Sequence, residues 1–118
     1  MTMLEELNAI LATLKIPAML GFYSASEPAP TMYCVLTPIG ADFDLYADDW
    51  PRQDTQEVRL TLYSKNNFLQ SAGHLVRALL GAGFYVTDRL YVGYDREFGY
   101  HQYAIDVQKS YAYDESEE

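Results

Sequence analysis

Residues 56–64 read Gln-Glu-Val-Arg-Leu-Thr-Leu-Tyr-Ser, and this stretch decides the fold. Its side chains alternate with a period of two, which places Val58, Leu60 and Leu62 on one face and Arg59, Thr61 and Tyr63 on the other. Such alternation is typical of a β-strand with one face covered by another layer. The chain therefore contains a sheet, and the flanking segments must supply the elements that cover it.

Two segments with helical periodicity lie on either side of this strand. In the first, Thr2 and Glu5 have the spacing of a capping box, and Pro17 predicts an end near residues 15–16. Its apolar stripe is formed by Leu4, Leu7, Ile10, Leu11 and Leu14. The second helix is predicted to start at Asn66 or Asn67 as the N-cap. It has Gly81 and Gly83 at its end, and its stripe is formed by Phe68, Leu69, Ala72, Leu75, Val76, Leu79 and Leu80.

The remaining apolar runs predict further strands at residues 18–23, 31–37, 84–93 and 100–107, and a short edge strand at 43–47. Pro38 and Gly40 are expected to end the strand at 31–37. The connections between successive strands are short, which favours antiparallel pairing. We therefore predict an α+β fold in the order α-β-β-(β)-β-α-β-β. Its largely antiparallel sheet of five to six strands packs against two helices.

Length and composition are those of one folded domain. The chain has 118 residues, of which 49% are hydrophobic, and a formal net charge of −9. Four of the negative charges (Asp114, Glu115, Glu117 and Glu118) lie in the last five residues, and without them the charge is −5. We expect a single domain at residues 1–113 and a disordered acidic tail at 114–118. The basic residues are scattered, so specific binding to nucleic acid is not expected.

Cysteine content and the first residues bear on the compartment. Cys34 is the one cysteine, so an internal disulfide is excluded, and its apolar neighbours predict a buried thiol. The first residues lack the basic and apolar regions of a signal peptide, and no apolar run is long enough to span a membrane. We expect a protein that is made and used in a cytoplasm, without membrane contact.

No motif in the sequence indicates catalysis or a cofactor. Gly81 and Gly83 follow a helix where the dinucleotide-binding fingerprint would follow a strand. The acidic cluster formed by Asp42, Asp44, Asp48 and Asp49 lacks the glycine and glutamate of a calcium loop. His74 and His101 have no serine or acid at the spacing of a catalytic triad. We therefore expect no enzyme activity, no metal and no cofactor, although a metal-dependent activity at the acidic cluster remains an alternative.

A tryptophan flanked by charges forms the one conspicuous interaction motif. Trp50 lies in the sequence Asp48-Asp49-Trp50-Pro51, which predicts a turn. A tryptophan at the tip of a loop is a candidate anchor for a protein interface. In the alternative, its ring folds back over the edge of the sheet. We take Tyr46, Asp48, Asp49 and Trp50 as candidate interface residues.

The ordered set of these segments resembles a family of phage proteins. The stretches that carry the resemblance are residues 15–17, 30–36, 46–49, 56–65, 83–84 and 100–107. Together they resemble the small tail-terminator or tail-to-head joining proteins of long-tailed bacteriophages and prophages, often described as minor capsid or tail-completion proteins. The resemblance extends over nearly the whole chain, except for the acidic tail.

The resemblance implies a structural virion protein that assembles in the host cytoplasm. In that family, copies of one chain close into a ring, typically a hexamer, at the head-proximal end of the tail tube. The expected partners are the chain itself, the tail-tube protein and the proteins of the head connector. DNA passes through such a ring without being specifically bound, and an acidic body would avoid retaining its phosphates. The alternative, which rests on the acidic charge and the richness in tyrosine, is a cytoplasmic phage-encoded interaction module or an acidic inhibitor of a host protein.

Overall fold

The computed structural model describes residues 2–20, 31–44 and 53–112, and these form one sheet with two helices on one of its faces. The elements, in chain order, are α1 (Met3–Thr13), β1 (Ala18–Leu20), β2 (Met32–Asp44), β3 (Gln53–Ser64), α2 (Phe68–Gly81), β4 (Tyr85–Asp95) and β5 (Tyr100–Ala112). The strand order across the sheet is β1-β2-β3-β5-β4. The predicted α+β class with two helices is confirmed, and the described sheet has five strands.

Strand β3 lies at the centre of the sheet, and its alternation is the predicted one. Val58, Leu60 and Leu62 point into the core between sheet and helices, and Leu60 and Leu62 are fully buried. Leu60 pairs with Leu36 of β2 on one side and with Ile105 of β5 on the other. Leu36 and Ile105 belong to the same core as Leu60. The apolar layer therefore continues from β3 across both neighbouring strands.

Both helices cover this layer with one face each. The inward residues of α1 are Met3, Leu7 and Leu11, and those of α2 are Ala72, Leu75 and Leu79. The capping box is confirmed, since the amide of Glu5 donates to Thr2 Oγ1 and the amide of Thr2 donates to the Glu5 carboxylate. The bonds that this carboxylate makes to Thr2 lower the pKa of Glu5. The side chain of Asn67 caps α2.

The two helices end with the same hydrogen-bond pattern, but the residue with the left-handed backbone is a lysine in α1 and a glycine in α2. Ile16 N donates to Leu11 O in α1, and Phe84 N donates to Leu79 O in α2, which is the Schellman pattern. The residue before each donor has a left-handed backbone: Lys15 with φ 60° and Gly83 with φ 90°. Helix α1 therefore ends at Thr13, slightly before the predicted end.

Two predictions about the strands are wrong. The strand at β2 does not end at Pro38 and Gly40, since it continues to Asp44 with a register shift between these two residues. Pro38 has no amide hydrogen to donate to a neighbouring strand, and an irregularity of this kind is a place in a sheet where a proline is accommodated. Phe43 and Asp44 thus belong to β2 and not to a separate edge strand, and residues 45–47 lie outside the described residues.

Strand β1 also departs from the expected antiparallel pairing. It pairs parallel to β2, with Ala18 opposite Cys34 and Leu20 opposite Leu36. Eleven residues separate Leu20 from Met32, whereas an antiparallel hairpin can be joined by two. The other three pairings are antiparallel, so the sheet is mixed. The expected acidic tail lies outside the described residues.

Truncating the central side chain should destabilise the protein strongly. We expect Leu60→Ala to lower the free energy of unfolding by about 2–5 kcal/mol, because Leu60 is fully buried and leaves a cavity. Leu69→Ala is the matched control, since Leu69 is 67% exposed and its change should stay within about 0.5 kcal/mol. Urea denaturation followed by circular dichroism measures both, and equal losses would contradict the assigned core.

The left-handed residues at the two helix ends allow a test with glycine: adding a glycine at the end of α1 and removing one at the end of α2 should change the stability in opposite directions. Lys15→Gly should stabilise the protein by about 0.5–1 kcal/mol, because a left-handed backbone disfavours a side chain. Gly83→Ala should destabilise it by about 1 kcal/mol for the same reason, since an added Cβ meets nothing closer than Lys109 at 4.0 Å. Thermal melts of the two variants should shift in opposite directions, and shifts of the same sign would contradict this account.

Candidate interaction surface

The outer strand β4 presents an unusual amount of apolar surface for the edge of a sheet. It pairs with β5 on one side only. Six large apolar residues of β4 and its following turn are exposed: Tyr85 (73%), Leu90 (57%), Tyr91 (44%), Val92 (55%), Tyr94 (52%) and Phe98 (62%). Soluble proteins usually protect such edges with charges, prolines or short strands. We call this set of residues the β4 edge surface.

An aromatic cluster holds part of this surface in place. Phe68 at the start of α2 stacks on Tyr91, with ring centroids 5.2 Å apart, and also contacts Tyr103. A hydrogen bond of 3.0 Å joins the Tyr91 hydroxyl to Nδ1 of His101. The ring of Tyr94 lies against the same histidine at 4.7 Å. Tyr91 and Tyr94 are therefore presented as fixed, amphipathic rings of the kind found at protein interfaces.

A groove separates α2 from the strands β4 and β5. It has a volume of about 160 Å³ and is lined by Leu69, Ala72, Gly73, Val76, Arg89 and Tyr103. Leu69 at one end is mostly exposed, and Leu80, further along the helix, is also exposed. The apolar stripe of α2 thus extends beyond the residues that face the core. Leu69, which belongs to this outer part of the stripe, contributes to the lining of the groove.

One charged residue, Arg89 of β4, is among the residues that line the groove. Arg77 and Arg89 are exposed on α2 and β4. Asp88 pairs in register with Asp106, whereas Arg89 pairs with Ile105 of the core layer. Because neighbours along a strand face opposite ways, Asp88 lies on the opposite side of the sheet from the groove.

The face of the sheet away from the helices carries a cluster of tyrosines and one ion pair. Tyr33 stacks on Tyr63 at 4.7 Å, and Tyr100 packs edge-on against both. Arg59 makes a two-pronged contact with the buried carboxylate of Asp106, at 2.8 and 3.1 Å. Charge-assisted pairs of this geometry are among the stronger hydrogen bonds. These tyrosines serve the packing of the sheet.

The sequence-predicted interface residues are not placed by the structure. Tyr46, Asp48, Asp49 and Trp50 lie outside the described residues. The strands that flank them pair up to Asp44 opposite Gln53.

The described residues hold no arrangement typical of an active centre. Within residues 2–20, 31–44 and 53–112, no three histidine, cysteine or acidic side chains gather to hold a metal ion. His101 contacts aromatic rings, while His74 is exposed on α2. No helix in the described part of the chain is long and apolar enough to cross a membrane.

Comparison with known proteins shows a likeness in fold to solved structures. No family model matches the chain. No curated protein matches it either. Fourteen chains of solved structures match, and one of them has 15% sequence identity and a TM-score of 0.51, over 96% of this chain and 98% of its own. At this identity the likeness extends to the fold alone.

The width of the apolar stripe of α2 was a sign of the groove in the sequence, but the helical periodicity did not separate the core residues from the exposed ones. The predicted stripe of α2 included Leu69 and Leu80 with the core residues, although both are exposed. A stripe wider than one core-facing side indicates a helix with a second apolar contact. The exposure of β4 could not be read in this way, because the pattern does not say which strand lies at the edge.

The thiol of Cys34 should be unreactive in the folded protein. It is fully buried, and desolvation raises its pKa to about 12. Because the thiolate is the reactive species, a disulfide reagent at pH 8 should label the folded protein at least about a hundredfold more slowly than the urea-unfolded protein. Since the raised pKa suppresses the thiolate, labelling of the folded state should stay slow up to pH 9. Fast labelling without denaturant would contradict the buried position.

Proposed function

We propose that this protein is a self-assembling structural subunit that forms the ring of a phage tail terminator or head–tail joining complex. The observation that carries this proposal is the β4 edge surface, a long outer strand with exposed apolar and aromatic residues. An edge of this kind is suited to contact with another chain. The ordered sequence resemblance supplies the setting at the head-proximal end of the tail tube.

The two edges of the described sheet support a contact between unlike surfaces. One edge is β4, with eleven residues, and the other is β1, with three. A contact that uses different surfaces on the two partners repeats from copy to copy, and it closes into a ring when the rotation is right. A two-fold dimer would instead pair the same surface of both copies, such as β4 with β4. A contact between β4 and the opposite edge is the kind that this proposal requires for a ring.

The charge of the chain also suits a ring that conducts DNA. The folded part without the terminal carboxylates has a charge of −5, and the eight basic residues are scattered over the chain. A lining poor in lysine and arginine binds phosphates weakly, because few counterions are displaced. DNA would therefore pass through the ring without being held. The partners in this proposal are the tail-tube protein and the head connector.

Assembly through the β4 edge is tested with charged substitutions. We expect the wild-type protein to form rings as its concentration rises, alone or on purified tail tubes. Leu90→Asp with Val92→Asp should abolish them, since both residues are more than half exposed and their change leaves the core intact. Ile39→Asp is the matched control, at 42% exposure on β2. Light scattering after size exclusion and negative-stain microscopy measure the outcome.

A genetic experiment separates this function from the acidic inhibitor. Deleting the gene in a phage that carries it should give tails of uncontrolled length and heads that are not joined, and the wild-type gene should restore virions. Normally joined virions from the deletion mutant would overturn the proposal. A stable complex with a host DNA-binding protein, in the absence of rings, would favour the inhibitor instead.

A further inference from the structure

We propose that two copies of the free protein form a two-fold dimer, in which the outer side of β4 pairs antiparallel with β4 of the second copy and Leu90 lies opposite Leu90. This inference goes beyond the proposed ring, which needs β4 to contact a different edge. Strand β4 has eleven residues, Tyr85–Asp95, and Leu90 is the middle one. In the sheet of the described residues, β4 pairs with β5 on one side and forms the edge on the other.

The register of β4 on β5 assigns its side chains to the two faces of the sheet. Ile105 and Val107 of β5 belong to the core beneath the helices, so the residues of β4 that pair with odd-numbered residues of β5 lie on the helix-covered face. These residues are Val86, Arg89, Tyr91 and Tyr94. The residues on the other face are Tyr85, Asp88, Leu90, Gly93 and Asp95.

Two register shifts lie on either side of Leu90. One inserts Thr87 and the other inserts Val92, so the alternation of faces is interrupted three residues before Leu90 and two residues after it. Counted from Leu90 in either direction, the residues one and four positions away lie on the helix-covered face, and those five positions away lie on the other face. The face pattern therefore reads the same in both directions. An antiparallel pair of identical strands requires this symmetry, because opposite residues must share a face.

This pattern favours a second copy over an unrelated strand. A regular strand alternates at every residue, so its faces match those of β4 only in the stretch 88–91 between the two shifts. In a second copy of β4, each shift lies opposite the other shift, and the faces match on both sides of them. Bulges usually protect an edge from pairing. The two shifts of β4 give this protection against regular strands but not against β4 itself.

The side chains that this register brings together are complementary. Arg89 of one copy lies opposite Tyr91 of the other, and the symmetry forms this pair twice. A guanidinium group on the ring of a tyrosine is a favourable cation–π contact. The ring is already held in place, since Phe68 stacks on it with centroids 5.2 Å apart and its hydroxyl bonds to His101 at 3.0 Å. Leu90, which is 57% exposed, meets its own copy at the axis.

Other positions of the two-fold axis near the middle of the strand are less favourable. An axis at Arg89 would place two guanidinium groups opposite each other, and an axis at Asp88 would do the same with two carboxylates. Like charges directly opposite destabilise a strand pair. An axis at Tyr91 would place Arg89 opposite Gly93, which lies on the other face of the sheet. The charges and the face pattern therefore both select Leu90.

The helix-covered face of the dimer has room for both copies of α2. Helix α2 contacts β3, β5 and β4, and β5 is the middle strand of these three. In the dimer, the two β5 strands are three strand spacings apart, which is roughly 14 Å. Helices pack at axial distances of about 8–10 Å, so the two copies of α2 do not collide.

The dimer and the ring use the same strand and therefore exclude each other. One edge pairs with one strand at a time, so β4 of a dimer does not take part in the ring contact. The dimer covers, in the free protein, an edge that would otherwise be open to aggregation. Ring assembly draws on the dissociated subunits, and a tighter dimer should raise the concentration at which rings form.

Cysteines at two neighbouring positions test the place of the axis. Residues directly opposite in an antiparallel pair have Cα atoms about 4.5–5.5 Å apart, which a disulfide can bridge. Leu90→Cys should therefore form a disulfide-linked dimer with itself under mild oxidation, seen on a non-reducing gel. Val92→Cys is the matched control at 55% exposure, because Val92 lies four residues, roughly 13 Å along the strand, from its symmetry copy. Cys34 is buried and does not compete.

A charge at the axis tests the strength of the dimer. Leu90→Asp places two carboxylates opposite each other and should weaken dimerisation by about tenfold or more, measured by analytical ultracentrifugation. Ile39→Asp, which changes an exposed residue of β2, should dimerise like the wild type.

The outcomes separate the dimer from the ring. A wild type without a dimer, or equal self-linking of Leu90→Cys and Val92→Cys, would overturn the dimer. Rings on tail tubes without self-linking at Leu90 would reject the dimer and leave the ring. Self-linking at Leu90 with no rings on tail tubes would support the dimer and reject the ring function.

Discussion

The structure depends on one constraint, the burial of alternate side chains of β3 beneath the two helices. Val58, Leu60 and Leu62 occupy the middle of the sheet, and the other buried residues between the sheet and the helices belong to the same cluster. Because β3 pairs with both β2 and β5 along its length, a shift by one residue would move the whole row to the wrong face. The alternation of this one strand therefore fixes the register of the sheet and the side on which the helices lie.

Lys109 of β5 makes polar contacts that also join the two helices to the sheet. Its ammonium group donates to the Glu6 carboxylate of α1 at 2.7 Å and to the carbonyl of Ala82 at the end of α2. It also lies over the ring of Phe84, at 4.6 Å from the centroid. A cation at the end of a helix offsets the partial negative charge of its last carbonyls. One side chain of β5 thus links both helices to the sheet.

The large apolar residues that remain exposed are unevenly distributed over the described residues. Among the described residues, eight of the nine exposed large apolar side chains lie on β4, its following turn or α2, and the ninth is Ile39 of β2. The exposed apolar surface of the described residues is therefore concentrated at one end of the strand order. Such a concentration differs from the singly scattered apolar residues of an ordinary monomer.

The sequence by itself determined the local elements, because periodicity and capping act over a few residues. The alternation of β3, the Thr2–Glu5 capping box, the cap at Asn67 and the stop at Gly83 are as predicted. Tertiary structure decided the continuation of β2 past Pro38, the parallel pairing of β1 and the position of β4 at the edge. These depend on contacts between distant segments. The groove was decided in the same way, since Leu69 belongs to the core stripe by spacing and lies outside the core once α2 is placed against β5.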